Sequence, residues 1–477
     1  MAHDSDPTLN GIASDPGGHW ARFAAEVAGF EAQIRALPVV HAPDPAVLRA
    51  TLAARYDFGV GIPLARLADE LTAMLRKGLV HVTHPRYFGL FNPSVREAAV
   101  LGDALAALYN PQLAVWSHAP VVQELERLTL GALARCLGYD PDSMAAHFAS
   151  GGAEANLAGV LCALATRCPE AATRGLRGLA RDPVLYVSVE SHHSFLKIAR
   201  MSGLGTDAVR QVPVTPALTM DVEALEAAIT ADAAAGRHPV FVVATAGTTG
   251  AGVIDPLAAV ADVAERHGLW FHCDAAWGGG ATLSPVLRPL FAGIERADSI
   301  TWDAHKWLSV PMGAGMFFTR HPDAPARAFG VASTYMPPAA STITEDPHLV
   351  TPQWSRRATG LKVFAALAEL GLSGYARLVE RQAAMGEALR ARLAAVGWRV
   401  VNDTALPVVC FTHPEVDAGR IAAATIRDRV YARGAAWVST VQLAGGAPVL
   451  RACITSYQTG PEDIEALVDE LELARGS

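Results

Sequence analysis

The chain has 477 residues, a formal net charge of −8, 51% hydrophobic residues and 18% charged ones. That length exceeds what one ordinary core serves and predicts a large domain with one or two smaller ones. The composition excludes a disordered chain, and the acidic balance leaves no basic footprint for nucleic acid.

Residues Met1 to Gly18 are polar, rich in Asp, Gly and Pro, and read as a loose arm without the apolar core of a signal peptide. From Trp20 to about Arg76 the pattern is mostly helical, punctuated by Pro43, Pro45 and Pro63. The stretch from His84 to Pro93 is aromatic and bracketed by prolines, a loop with a function. Helical patterns resume at Ala98 and at Pro120. Then short apolar runs alternate with helical segments. The runs are Val184–Val189, Val240–Thr245, Trp270–Cys273, Ser299–Trp302 and Ala314–Phe318. The helical segments include Val222–Ile229 and Leu257–His267. Several runs are apolar at successive positions, as in a parallel sheet covered on both faces, so the architecture is α/β. Residues 331–353 carry Pro337, Pro338, Pro347 and Pro352 among Ser and Thr, a long connection of the kind used as a lid. A long helix is expected from about Arg356 to Leu393. The tail has strand signals at Val408–Thr412 and Val449–Ile454 and an amphipathic helix from Pro461, an α+β unit. The division expected is 1–83 (arm and helices), 84–355 (large domain) and 356–477 (small domain).

The six cysteines form no C-x-x-C pair and mostly lie in apolar stretches, so buried reduced thiols are expected. No uninterrupted apolar run approaches the roughly 18–20 residues of a membrane span. A cytoplasmic protein with small-molecule partners is expected.

Five segments carry chemistry. Asp274 ends one apolar run, and the pair His305-Lys306 follows another 32 residues later. Lysine forms an imine with an aldehyde cofactor, and a carboxylate can hold a basic ring nitrogen protonated. That combination is what pyridoxal phosphate (PLP) requires. Gly151-Gly152 opens a helical pattern, where free backbone N–H groups suit an anion such as the cofactor phosphate. Ser191-His192-His193-Ser194 follows a strand and offers an imidazole to stack on a flat ring; no third ligand at a sensible spacing makes the histidines a metal site. Thr245 to Gly250, also past a strand, carries small hydroxyl residues that can approach a ligand.

These five pieces, in this order, resemble the fold type I PLP enzymes, and more narrowly the group II amino acid decarboxylases. The resemblance runs from about His84 to the C-terminus. It implies a large domain with a mainly parallel sheet covered by helices, a small C-terminal α+β domain and a helical N-terminal segment. It implies that Lys306 is the Schiff-base lysine, that Asp274 pairs with the pyridine nitrogen, that Ala276 packs on the ring and that His192 stacks on its other face. His305 and the backbone of Gly152 and Ala153 would bind phosphate, with Thr248 nearby. Tyr335 matches the family's loop tyrosine, which protonates the carbanionic intermediate. Tyr87, Phe88 and Phe91 match the substrate-pocket loop, and a homodimer with shared active sites is implied.

Two departures stand out. Ala153 replaces the usual Ser or Thr. The loop Phe88-Gly89-Leu90-Phe91 lacks the polar glutamine of glutamate decarboxylases, which favours an aromatic or apolar substrate over an acidic one. The expected activity is decarboxylation of an L-amino acid to amine and carbon dioxide. Transamination, aldehyde-forming oxidative decarboxylation and carbon–carbon lysis use the same fold and lysine, and a non-catalytic PLP-binding protein is a further class. Arg356, Arg357 and Arg451 are candidate carboxylate binders, with ordinary salt bridges the competing explanation.

Overall fold

The computed structural model describes residues 18–41, 43–337 and 339–476. The expected N-terminal arm, Gly18 apart, lies outside the described residues. The centre is a seven-stranded sheet. Its strands are β1 (Ala145–Ala149), β2 (Pro183–Ser188), β3 (Val209–Val212), β4 (His238–Thr245), β5 (Trp270–Asp274), β6 (Ser299–Asp303) and β7 (Gly315–Thr319). They lie in the order β1-β7-β6-β5-β4-β2-β3. Neighbours from β6 to β3 pair in parallel, and β7 runs against β6 and β1.

The expectation of strands covered on both faces holds. In β2, Val184 and Tyr186 enter one core with Val242, Ala244 and Phe271, while Leu185 and Val187 enter the other with Phe241, Val243 and Trp270. That alternation is the period of two of a β-strand, with both faces dry. β-Branched and aromatic residues fill these positions, which suits a pleated surface pressed between helices. The crossover helices start and stop at local signals. The Asp221 carboxylate accepts from the Ala224 amide and caps Val222–Ala234, and left-handed Gly268 ends Leu257–His267.

A second sheet, β10-β11-β9-β8, is antiparallel and belongs to the C-terminal α+β domain. Its strands are β8 (Arg399–Val400), β9 (Val408–Thr412), β10 (Ser439–Val441) and β11 (Val449–Cys453). Its core joins Val409, Phe411 and Leu450 to Leu389, Leu393, Ile426 and Leu467. The long helix spans Gly360–Ala395 and is interrupted at Gly371, whose φ of 69° breaks the helical run. Val363, Ala366 and Tyr375 pack into the large core, while Leu389 and Leu393 pack into the C-terminal one. The N-terminal helices His19–Ala36, Pro45–Arg55 and Leu64–Gly78 bury almost nothing of their own; only Ile34 is a buried helix residue there. All six cysteines are free, and five are buried. Among the described residues no helix is long and apolar enough to cross a membrane.

Candidate active site

Parallel strands bring their carboxyl ends to one edge, where open α/β sheets hold ligands. Here that edge gathers Asp274 at the end of β5, Asp303 at the end of β6, and the loops after β1, β2 and β4. Lys306 lies three residues past Asp303, and its Nζ is 2.9 Å from Asp303 Oδ2. His305 is buried, accepts at Nδ1 from the Ala314 amide (3.2 Å), and has Nε2 3.8 Å from the same Asp303 oxygen.

The loop after β1 opens the helix Gly152–Arg167 against these groups. A Cβ on Gly152 would stand 2.7 Å from Asp303 Oδ2 and 3.3 Å from Ala276 Cβ, and one on Gly151 would stand 3.5 Å from His305. Only glycine fits at 152, and its lack of a side chain brings the first helical turn up to Ala276, Asp303 and His305. Ala153 is exposed on the same turn.

Asp274 is buried, and each of its oxygens accepts one hydrogen bond from the protein. Its Oδ1 accepts from the Ala276 amide at 3.1 Å, and its Oδ2 accepts from Asn156 Nδ2 at 2.9 Å. His192 follows β2; the Ser194 amide donates to its Nδ1 at 3.2 Å, so in the neutral ring Nε2 carries the hydrogen. Loss of hydration lowers its pKa, while the Asp274 carboxylate pushes the other way and the Lys306 ammonium adds to the lowering. Thr248 is fully buried, and its hydroxyl has no hydrogen-bond partner among the described residues. A buried hydroxyl left unpaired costs about 1–3 kcal/mol unless something else takes its hydrogen bond. The residues therefore fit pyridoxal phosphate: an amine at Lys306, an oriented carboxylate at Asp274, a glycine cradle at a helix N-terminus, and a spare hydroxyl at Thr248.

The structure thus gathers Lys306, Asp274, Ala276, Gly152 and His305, and the charges that act on His192 tie it to the same group. It does not gather all of the sequence candidates. Phe88 is fully buried in the C-terminal core, whereas Phe91 stacks on Trp277 with ring centroids 4.7 Å apart. Tyr87 packs on Trp437 at 5.0 Å. Tyr335 is 76% exposed and its ring faces Trp354 at 6.0 Å. Of the three arginines, Arg356 forms a buried pair with Glu126 and Arg357 pairs with Asp103. Arg451 pairs with no carboxylate among the described residues. It is buried, donates to the Gly250 and Gly89 carbonyls (3.1 Å each) and lies 4.7 Å over the Phe91 ring, and its Nη2 has no hydrogen-bond partner among the described residues.

Sequence reasoning missed Asp303, Asn156 and His272 as site residues. Each left a signal. Asp303 is an acid three residues before the lysine, across the turn that follows β6. His272 is two residues before Asp274 and so shares its face of β5. Asn156 is four residues past Gly152 and shares its face of the helix.

Fold and site together define a fold type I PLP enzyme. A family model described as the pyridoxal-dependent decarboxylase conserved domain matches residues 61–413, and the chain belongs to that family. It is similar to the acidic amino acid decarboxylase GADL1 of Bos taurus, 29% identical over 430 residues, covering 87% of this chain and 82% of the relative. It is also similar to a tyrosine decarboxylase of Oryza sativa subsp. japonica, 33% identical over 355 residues, covering 72% and 66%. Among solved structures, the crystal structure of Oryza sativa TDC with PLP and tryptamine matches with a TM-score of 0.90 and 25% identity, covering 98% of each chain. The protein is a PLP-dependent amino acid decarboxylase, a carboxy-lyase.

Proposed function

We propose that this enzyme converts an L-amino acid with an aromatic or apolar side chain to its amine and carbon dioxide, as a cytoplasmic homodimer. The observation that carries the substrate class is the pocket loop. Tyr87 to Phe91 presents no charged or amide side chain, and Phe91 stacks on Trp277, three residues past Asp274. A loop without charged or amide side chains favours aromatic and aliphatic groups over acidic ones.

When bound, the cofactor supplies an aldehyde for the substrate amine and a ring that takes up the electrons of the broken Cα–carboxylate bond. Lys306 holds and releases the cofactor. Asp274 would hold a proton on the ring nitrogen, and His192 and Ala276 would pack against the ring. The first-turn amides of Gly152 and Ala153, with His305 and Thr248, hold the phosphate. Tyr335 delivers a proton to Cα. Its exposure in a single chain fits a loop that serves the site of a second copy. Leu64, Leu71 and Leu75 recur on one face of their helix and are exposed, as an interlocking dimer would use. Buried free thiols agree with a reducing compartment.

Arg451 favours a second reading. A buried guanidinium with a free Nη2 beside the pocket loop suits a substrate with an acidic side chain. The test is a panel of L-amino acids with carbon dioxide and amine followed together. Turnover of tyrosine, phenylalanine, tryptophan or leucine, and none of glutamate, aspartate or cysteine sulfinate, is expected. The reverse selectivity, abolished in Arg451→Met, would replace the aromatic reading with the acidic one.

A further inference from the structure

Behind Asp274 a chain of hydrogen bonds runs into the protein. Trp270 Nε1 lies 2.8 Å from Ser299 Oγ, which lies 2.7 Å from His272 Nδ1. His272 Nε2 lies 3.0 Å from Asn156 Oδ1, and Asn156 Nδ2 lies 2.9 Å from Asp274 Oδ2. Trp270, Ser299, His272, Asn156 and Asp274 are all buried.

The carboxylate end fixes the direction of every hydrogen, and the indole end agrees with it. An indole N–H can only donate, so Ser299 Oγ accepts from Trp270 and has its own hydrogen for His272 Nδ1. The neutral ring then carries its hydrogen on Nε2, and that hydrogen goes to the Asn156 carbonyl. The Asn156 amide group donates to Asp274. Reversing Asn156 would set its carbonyl oxygen against a carboxylate and its NH₂ against a ring N–H, so the reverse arrangement fails at both contacts. Burial keeps His272 neutral, lowering its pKa to about 4, with the Asp274 carboxylate opposing. Thr301 Oγ1, 3.3 Å from His272 Nε2, is a second acceptor for the same hydrogen.

Packing holds the ring in place as well. A Cβ on Gly159 would stand 2.9 Å from His272 Nδ1 and 3.4 Å from Ser299 Oγ. Glycine at 159 is what lets the helix close over the imidazole.

We propose that Asn156 and His272 are positioning residues for the decarboxylation, because the Trp270–Ser299–His272–Asn156 chain presents Asp274 to the cofactor ring nitrogen as an oriented acceptor. This rests on the reading of Asp274 as the partner of that nitrogen. Outer-shell partners of this kind typically change activity about 10–100-fold when removed. They act through Asp274 and touch neither substrate nor cofactor.

The experiment loads the full-length protein with PLP labelled with ¹⁵N in its ring and follows the ring nitrogen by NMR across pH. PLP affinity, kcat and KM are measured alongside. The variants are His272→Phe, Asn156→Ala, Ser299→Ala and Asp274→Ala. In the first two, the ring nitrogen should lose its proton at a lower pH than in the parent, and kcat should fall about 10–100-fold with KM within about threefold. Ser299→Ala, which removes one oxygen and disturbs packing least, should shift both readouts the same way but less. Asp274→Ala should deprotonate the ring nitrogen outright and lower PLP affinity. If Asp274→Ala behaves so while the other three titrate like the parent, the chain is only structural and the proposal is overturned. If Asp274→Ala leaves the ring nitrogen protonated, the reading of Asp274 itself fails. Should His272→Phe not fold, Ser299→Ala and Asn156→Ala decide the matter on the same readout.

Discussion

Arg356 and Glu126 form an ion pair whose removal should be among the more damaging single changes outside the site. The two guanidinium nitrogens lie 2.6 and 3.1 Å from the two carboxylate oxygens, and the side chains are only 5% and 6% exposed. Arg356→Met keeps the length of the side chain and removes the charge. It leaves the Glu126 carboxylate buried with the Gly360 amide (3.1 Å) as its remaining donor. Breaking one side of such a pair costs about 3–5 kcal/mol, because the surviving charge has neither water nor partner. Arg266 and Glu226 pair at a similar 2.9 Å but are 52% and 42% exposed. Water already solvates both, so Arg266→Met should cost far less than Arg356→Met. The assay is urea unfolding of the PLP-loaded protein, followed by tryptophan fluorescence and circular dichroism. The double variant Arg356→Met/Glu126→Gln should recover much of the loss, since it leaves no buried charge. Equal costs for Arg356→Met and Arg266→Met would refute the reasoning, and so would a double variant no more stable than Arg356→Met.

Lys306→Ala should abolish turnover and the covalent attachment of PLP trapped by borohydride; a variant that retains either removes Lys306 from its role. Tyr335→Phe should still consume substrate in part but lose amine product, with aldehyde as the alternative product, and an unchanged amine yield would exclude the tyrosine from the proton delivery. Acid should destabilise the fold. Burial holds His272 down to about 4 and His147 to about 3, while an unfolded histidine takes its proton near pH 6.5. As pH falls from about 6.5 towards those values the unfolded chain binds more protons, and each pH unit costs up to about 1.4 kcal/mol per histidine. Buried Asp255, raised to about 6 by burial, opposes this between pH 6 and its ordinary 3.8, but His84, also lowered to about 4 by burial, adds to the two histidines. His147→Phe should flatten the fall in Tm between pH 6.5 and 4.5, and an unchanged slope would show that His147 carries none of it.

The strands that proved legible are those whose interior is a run of large apolar residues. β9 was expected at its observed bounds, and β2, β4, β5, β6 and β7 within a residue or two. β1 was not foreseen, because Ala-Ala-His-Phe-Ala has little β preference and becomes a strand only by pairing with β7. β3, β8 and β10 span two to four residues, too short for periodicity to register. The interruption at Gly371 was equally silent, since one glycine in a long helical pattern does not announce a left-handed backbone. At the site, Lys306 and Asp274 stood out in the sequence because the proposed chemistry needs those residue types at or just past strand ends, and the structure places both at that edge of the sheet. Asn156 was passed over because an amide in a helix has many uses, and its use here depends on β5 lying directly beneath it.

The site divides by what supports it. Asp274 ends a strand, Gly152 opens a helix, and Lys306 and Thr248 lie three residues past strand ends of the large sheet, while Asn156 hydrogen-bonds Asp274 from behind and His272 hydrogen-bonds Asn156. Phe91 and Arg451 are supported differently. Phe91 packs in the large core, yet Phe88, three residues earlier, packs in the C-terminal core, and Arg451 comes from β11 of the second sheet to reach Gly89 and Gly250. The residues proposed to hold the cofactor are thus held by one core, and those proposed to flank the substrate by the seam between two. A substitution at the seam can change the width or charge of the pocket without disturbing Asp274. This gives a physical basis for one fold to serve both acidic and aromatic amino acid decarboxylases, and it makes Arg451 a cleaner probe of selectivity than any residue of the sheet.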